Sequence, residues 1–192
     1  MDKPYCCWML NLRYSWNGTV QYLHPVVLFG ERDIVLVDCG YSCSLKLLER
    51  ELSSRGLGLE GITKLVLTHQ DDDHMGAAAE LKEAYPALQI LASWEEAPYI
   101  SGERKNLRLQ QAEKMQAYLP EEQKAFGEQF CQRLRAVRTV SVDGILRPGD
   151  RFDWGGGCEI LGTPGHTPGH LSIRALDGSF LITGDAAVVE NE

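Results

Sequence analysis

The sequence predicts an α/β protein in which helices cover a β-sheet, and three observations support this fold class. Short, partly β-branched apolar runs alternate with amphipathic helical patterns between residues 26 and 92. A charged segment of helical character follows at about 94–140, and β-type runs resume after Val140. The length of 192 residues suits one core. We therefore predict a single domain over residues 1–192 with a helical, lid-like insertion at about 94–140.

The composition is typical of a soluble globular protein, with 44% hydrophobic and 24% charged residues. The net charge of −8 argues against a nucleic-acid partner, because such binding needs clustered basic residues. We find no signal-peptide pattern and no apolar run of membrane-spanning length. The six cysteines, among them Cys6 and Cys7, are interpreted as free thiols in a reducing compartment. These features predict a cytoplasmic protein with neither a membrane nor a nucleic-acid partner.

The first structural elements are a hairpin and a helix. Two apolar runs at 26–29 and 34–37 are separated by turn residues, which indicates an antiparallel hairpin. The second run ends at Asp38, which is either a turn residue or a carboxylate that orients metal ligands from behind them. Leucines at helical spacing predict a helix over 44–55, and Gly56 ends it.

The central motif lies between a predicted strand at 65–68 and a predicted helix from Met75 to about Tyr85. The six residues from His69 to His74 include five potential metal ligands, and three of these are consecutive carboxylates. Such carboxylates repel one another unless a cation lies among them. An acidic loop whose Asp73 caps the helix is the alternative, but it explains neither imidazole. The motif therefore predicts a divalent metal site at the end of a strand.

A further strand is predicted at 88–92, and the helical segment that follows carries four aromatic residues. They are interpreted either as part of a lid over the site or as the core of two surface helices. These residues are Tyr99, Tyr118, Phe126 and Phe130.

More candidate ligands stand near strand ends in the last third of the chain. A strand is predicted at 158–161, and a hairpin about Asp177-Gly178 joins runs at 171–174 and 180–183. His166 and His170 lie in a segment made rigid by proline and permissive by glycine, and Asp185 follows the last run. Together with the central motif, these residues favour one shared site.

These motifs, in this order, resemble the metallo-β-lactamase superfamily. The resemblance implies a four-layer αββα sandwich that holds one or two divalent metal ions, most often zinc, at the strand ends. It further implies that the first metal is bound by His69, Asp71 and His166, the second by Asp73 and His74, and that Asp185 bridges them. Asp38 and His170 match positions that support the ligands.

The chain departs from the family pattern in two ways. Asp71 stands where the signature usually has a second histidine, which makes iron or manganese rivals to zinc. The family also has a later histidine that does not occur before Glu192. We therefore expect the C-terminal part of the fold to be absent and the second half of the sandwich to be incomplete, which would favour a homodimer.

The resemblance implies a metal-dependent hydrolase of a small metabolite. Metal-bound hydroxide, oriented by Asp73 as the catalytic residue, would attack an ester, thioester, lactone or amide. The alternatives are a β-lactamase, a diiron redox protein and a non-catalytic metal-binding module of the same fold. A serine or cysteine nucleophile is disfavoured because no G-x-S-x-G elbow is present.

Overall fold

The computed structural model describes residues 7–16 and 18–187, so that Cys6 and Glu192 lie outside the described residues. The strands are β1 (Cys7–Met9), β2 (Leu12–Trp16), β3 (Thr19–Leu23), β4 (Val26–Phe29), β5 (Ile34–Val37), β6 (Lys64–Val66), β7 (Gln89–Ser93), β8 (Gly144–Leu146), β9 (Arg151–Phe152), β10 (Cys158–Gly162), β11 (Leu171–Ala175) and β12 (Leu181–Ile182). The helices are α1 (Leu45–Ser53), α2 (Asp72–Met75), α3 (Ala78–Ala84), α4 (Ala97–Ile100), α5 (Leu107–Gln116) and α6 (Glu121–Arg135). Cys39, Cys43, Cys131 and Cys158 are free thiols.

The first sheet has six strands in the order β1-β4-β5-β6-β7-β8. The predicted hairpin is β4 and β5, which pair antiparallel, whereas β5, β6, β7 and β8 run parallel to one another. Parallel strands bring their carboxyl ends to the same edge of the sheet. The segments that follow β5, β6 and β7 therefore meet at that edge.

The second sheet is antiparallel, with four strands in the order β12-β11-β10-β9. Its β11 and β12 form the hairpin predicted about Asp177-Gly178. The β2 and β3 strands pair with each other in a separate two-stranded sheet.

Two apolar cores organise these elements into layers. Buried leucines of α1 and α3, such as Leu48 and Leu81, pack against the outer face of the first sheet. On the inner face, Val66 lies in one cluster with Trp154 and Ile173 of the second half. A helical layer and two stacked sheets thus confirm the predicted fold class. The expected sandwich also has a second helical layer. Within the described residues, the helices that follow β8 are single 3-10 turns, so the described part of the chain contains three of the four expected layers.

The insertion between β7 and β8 contains α4, α5 and α6. None of the described helices, in the insertion or elsewhere, is long and apolar enough to cross a membrane. Leu109 of α5 and Leu134 of α6 share a small buried cluster. At the base of the insertion, the N–H of Val140 donates to the carbonyl of Ile100 at 3.1 Å. The interpretation of the aromatics as core residues is wrong for Tyr118 and Phe126, which are exposed.

The helix predicted from Met75 to Tyr85 is divided in two, and its first part starts earlier, at Asp72. A Cβ atom on Gly76 would lie 2.6 Å from the backbone nitrogen of Ser42, so only glycine allows this close approach. Asp72 and Asp73 lie in the first turn of α2, where negative charge interacts favourably with the positive end of the helix dipole. As a result, Asp73 and His74 lie on a helical turn rather than on an extended loop.

Candidate metal centre

The edge where the parallel strands end collects the predicted ligands into two overlapping groups. Three segments supply them: the β6–α2 turn together with α2, the β10–β11 loop, and the residues after β12. Within each group, the ligand atoms lie within 4.8 Å of one another. The first group is His69, Asp71 and His166, and the second is His69, His74 and Asp185.

The first group centres on one carboxylate oxygen. Oδ2 of Asp71 lies 3.1 Å from Nε2 of His166 and 3.8 Å from Nε2 of His69. Asp71 and His69 are buried, while the His166 side chain is partly exposed. The residues that the resemblance implied for the first metal are therefore adjacent, across 95 positions of sequence.

Asp185 lies between the two groups and offers one oxygen to each. Its Oδ1 is 3.1 Å from Nε2 of His74, and its Oδ2 is 3.5 Å from Nε2 of His166. The hydrogen bond with His74 holds the pKa of Asp185 well below its usual range, despite partial burial. Burial alone would lower the pKa of His74, but Asp38 and Asp185 raise it well above its ordinary value. This geometry suits a bridging carboxylate.

Asp73 lies at the margin of the centre and belongs to neither group of three. Its Oδ2 is 4.0 Å from Nε2 of His74. Its Oδ1 is buried and has no hydrogen-bond partner among the described residues. The structure therefore pairs His74 with His69 and Asp185 more closely than with the expected Asp73.

The protonation of His69 fits a bound cation. Its Nε2 is buried, lacks a hydrogen-bond partner among the described residues, and faces the carboxylates of Asp71 and Asp185 at 3.8 and 4.0 Å. Burial lowers the pKa of His69, and the neighbouring imidazoles of His74 and His170 lower it further. A neutral imidazole with its lone pair aimed between carboxylates is suited to bind a metal ion, and a buried nitrogen without a partner is otherwise costly.

Asp38 sets the proton positions on two of the imidazoles. Its Oδ1 accepts the backbone N–H of Thr68 at 2.8 Å, and its Oδ2 accepts the Thr68 hydroxyl at 2.9 Å. Because that hydroxyl proton is used, Oγ1 of Thr68 accepts Nδ1–H of His69 at 3.0 Å. Nδ1–H of His74 donates directly to Oδ2 of Asp38 at 2.8 Å. Both rings then present Nε2 to the site, as in other metal centres with supporting carboxylates.

His170 uses both ring nitrogens in holding the loops that carry the ligands. Its Nε2 accepts the backbone N–H of Asp185 at 3.1 Å, so Nδ1 carries the proton and donates to Oγ1 of Thr163 at 2.8 Å. Neither nitrogen is left for a cation. The supporting role that the resemblance implies for His170 stays a prediction.

Glu96 is a site residue that the sequence did not reveal. It is completely buried in the turn between β7 and α4. Its Oε2 accepts the backbone N–H of Gln70 at 3.1 Å, and its Oε1 accepts the backbone N–H of Gly169 at 2.9 Å. One carboxylate thus joins the β6–α2 turn to the loop that holds His166. An acidic residue in the turn after a predicted strand was the available signal, although Trp94 and Glu95 stand between Glu96 and the strand.

Two arginines of the insertion also contact the acidic turn, and neither was singled out from the sequence. Nη1 of Arg108 on α5 donates to Oδ2 of Asp71 at 2.6 Å. Nε of Arg133 on α6 lies 3.1 Å from Oδ2 of Asp72. The ring of Phe130 lies near both guanidinium groups, with ring-centre distances of 5.9 and 5.0 Å. The insertion is therefore attached to the centre by charge.

A cavity opens on each side of the centre. The larger, of about 500 Å³, includes Asp73, His74 and Asp185 in its wall together with apolar residues of β3 and β4. The smaller, of about 360 Å³, lies between α5 and the β10–β11 loop, and its wall includes Arg108 and His166. Both are of a size that holds a small molecule.

Comparison with known proteins agrees with this geometry. A family profile described as "Metallo-beta-lactamase superfamily" matches residues 22–192. The probable metallo-hydrolase YflN of Bacillus subtilis is 29% identical over 160 residues, which are 82% of this chain and 57% of YflN. The hydroxyacylglutathione hydrolase GloC of Haemophilus influenzae is 30% identical over 121 residues, which are 63% of this chain and 48% of GloC.

A solved structure shows the same fold. The metallo-beta-lactamase family protein TTHA1429 of Thermus thermophilus superposes with a TM-score of 0.73 at 20% identity, covering 95% of this chain and 60% of that one. The chain thus spans about half to three fifths of the length of these proteins.

Proposed function

The chain belongs to the metallo-β-lactamase superfamily, and on that premise we propose that it carries the metal centre of a hydrolase acting on a small metabolite. The substrate contains an ester, thioester, lactone or amide bond, and water is added across that bond. The observation that carries the proposal is the convergence of His69, His74, His166, Asp71 and Asp185 on one edge of the sheet. The names of YflN and GloC as hydrolases support it.

Zinc is the cation that we propose, with iron and manganese as rivals because Asp71 adds an oxygen ligand. His69, Asp71 and His166 would hold one ion, His74 would hold a second, and Asp185 would lie between them. A divalent cation in this position supplies an acidified water molecule and a Lewis acid for the substrate carbonyl.

The protein side chains have separate tasks in this reaction. Asp38 keeps Nε2 of His69 and His74 directed at the cations through its contacts with Thr68 and His74. Glu96 fixes the loop that carries His166. Asp73 contributes to the wall of the larger cavity, and its buried Oδ1 has no hydrogen-bond partner among the described residues. Asp73 would orient the attacking water by accepting one of its protons in a hydrogen bond.

A direct test uses the complete protein and a panel of 4-nitrophenyl esters, thioesters and homoserine lactones. We expect hydrolysis that disappears on treatment with a chelator and returns with zinc. Asp73→Asn should lower kcat by about 100-fold or more, the range that general-base groups contribute. Asp177→Asn is the control, because Asp177 lies in an exposed hairpin turn. Hydrolysis that is equal in Asp73→Asn and the wild type would contradict the role of Asp73, and activity that survives full metal removal would contradict the proposed function.

A further inference from the structure

The smaller cavity combines a candidate metal ligand with a positive charge. Arg108 projects from the first turn of α5, and its side chain is 37% exposed. His166 and Thr167 lie across the cavity from it, on the β10–β11 loop. A substrate held at the first group of ligands would therefore have the guanidinium of Arg108 beside it.

Arg108 has unused hydrogen-bonding capacity. Among the described residues, its hydrogen bond goes from Nη1 to Asp71, although a guanidinium group has five N–H donors. Its Nε is buried without a hydrogen-bond partner there, and the same holds for Oγ1 of Thr167 in the same cavity wall. Unpaired donors in a cavity favour a ligand rich in acceptor oxygens.

The position of Arg108 is fixed rather than incidental. Gln70, inside the ligand turn, accepts the backbone N–H of Leu107 through Oε1 at 2.8 Å. Nδ2 of Asn106 donates to the carbonyl of Gln70 at 2.8 Å. The start of α5 is thus attached to the ligand turn through the two residues that precede Arg108. The guanidinium group is itself held by Asp71, and an arginine side chain held in this way binds a carboxylate with little further loss of side-chain entropy.

We propose that Arg108 selects substrates whose acyl group carries a carboxylate, which it binds in the cavity between α5 and the β10–β11 loop. This inference rests on the proposed hydrolase function and adds the charge of the substrate to it. The competing role for Arg108 is to offset the negative charge of Asp71, with no contact to the substrate.

The test compares two esters of equal chain length in the complete, zinc-loaded protein. Mono-4-nitrophenyl adipate carries a terminal carboxylate where 4-nitrophenyl hexanoate carries a methyl group. We expect kcat/KM for the adipate ester to exceed that for the hexanoate ester by about tenfold or more, mainly through KM, as for one charge-assisted contact. In Arg108→Gln this ratio should fall to about one, and Arg108→Lys should restore part of it because the charge returns without the fork.

The matched control is Arg135→Gln, which removes an arginine of the same insertion whose partners are Glu113 and Glu128. It should keep the wild-type ratio. Metal content is measured for every variant. A loss of activity that affects both esters equally cancels in the ratio of their kcat/KM values. A ratio that Arg108→Gln leaves unchanged overturns the inference, since Arg108 would then act through Asp71 alone.

A binding measurement separates this inference from the proposed function. Calorimetry with adipate and hexanoate needs no turnover, and each ligand offers one carboxylate to the zinc while only adipate offers a second. If the wild type binds adipate more tightly than hexanoate and Arg108→Gln loses this difference, the inference about Arg108 is supported. This holds even if neither ester is hydrolysed, and in that case only the proposed ester hydrolysis is contradicted. Equal binding of the two acids by the wild type overturns the inference.

Discussion

Oδ2 of Asp38 lies 2.8 Å from Nδ1 of His74, and this contact decides which nitrogen of the imidazole faces the metal centre. The same carboxylate oxygen accepts the hydroxyl of Thr68, which in turn holds His69. One residue outside the ligand groups thus controls two rings within them.

Asp38→Asn should therefore weaken metal binding without removing a ligand. An amide nitrogen donates where the two partners need an acceptor, so both rings lose their fixed orientation. We expect metal affinity, measured by competition with a chromogenic chelator, to fall by about 10- to 100-fold. Asp33→Asn is the control, since Asp33 contacts Thr63 and Lys64 away from the site. Equal affinities in Asp38→Asn and Asp33→Asn would refute the role of Asp38.

Replacing His166 should reduce the number of ions bound. His166 belongs to the first group only, so His166→Ala leaves His69, His74 and Asp185 for one cation. We expect elemental analysis of dialysed protein to show the loss of about one ion per chain. His24→Ala provides the comparison, because His24 contacts the carbonyl of Leu10 and lies outside both groups. If both variants bind as many ions as the wild type, His166 is not a ligand.

Glu96 offers a prediction about stability. Glu96→Gln places an amide N–H₂ against the backbone N–H of Gln70 or of Gly169, so one buried donor loses its acceptor. The cost should be about 1–3 kcal/mol in the free energy of unfolding of the metal-free protein, measured with urea. Glu95→Gln, at the exposed neighbouring position, should change it by less than about 0.5 kcal/mol. A similar small effect of both substitutions would show that Glu96 does not join the two loops.

Asp143 predicts a pH dependence of stability far from the metal centre. Partial burial opposes ionisation, but the N–H of Ile90 and the ammonium of Lys82 hold the pKa of Asp143 below its ordinary value. Because the folded-state pKa is lowered, its stabilisation is complete above the unfolded value and is lost as the pH falls through the folded value.

Wild type should therefore exceed Asp143→Asn in unfolding free energy by about 1 kcal/mol near neutral pH. This difference should shrink as the pH falls from about 5 to about 2. Urea unfolding of the metal-free proteins at each pH measures this difference in unfolding free energy. The titration of other groups is common to the two proteins and cancels in the difference. A difference that stays constant over this range would mean that the charge of Asp143 contributes nothing.

Seven of the strands and the candidate ligands could be read from the sequence because their signals are local, whereas β1, β2, β3, β8 and β9 were not predicted. Apolar runs bounded by turn residues located the β4–β5 and β11–β12 hairpins, and the density of ligands located the β6–α2 turn. The contacts of Glu96 and Arg108 could not be read in this way. The partners of Glu96 lie 26 and 73 positions away in the sequence, and the partner of Arg108 lies 37 positions away. No periodic pattern in the sequence relates these residues to their partners.

The division of the predicted helix at Gly76 has a similar cause. Local propensity favours one continuous helix through an alanine-rich stretch. The close approach of the chain near Ser42 is a tertiary feature, and it imposes the change of direction there. Local rules placed the ligands in sequence, while packing between distant segments oriented them.

The pairing of Ile100 with Val140 has an evolutionary consequence. The stretch between them starts at the end of α4 and returns ahead of β8 at a neighbouring point, so a replacement of another length can be spliced in without shifting any strand. Recombination at these two junctions would exchange Arg108 and the cavity wall around it, while the candidate metal ligands, which lie outside this stretch, are inherited unchanged. The insertion that contacts the candidate metal centre and the centre itself can then evolve at independent rates in proteins descended from this chain.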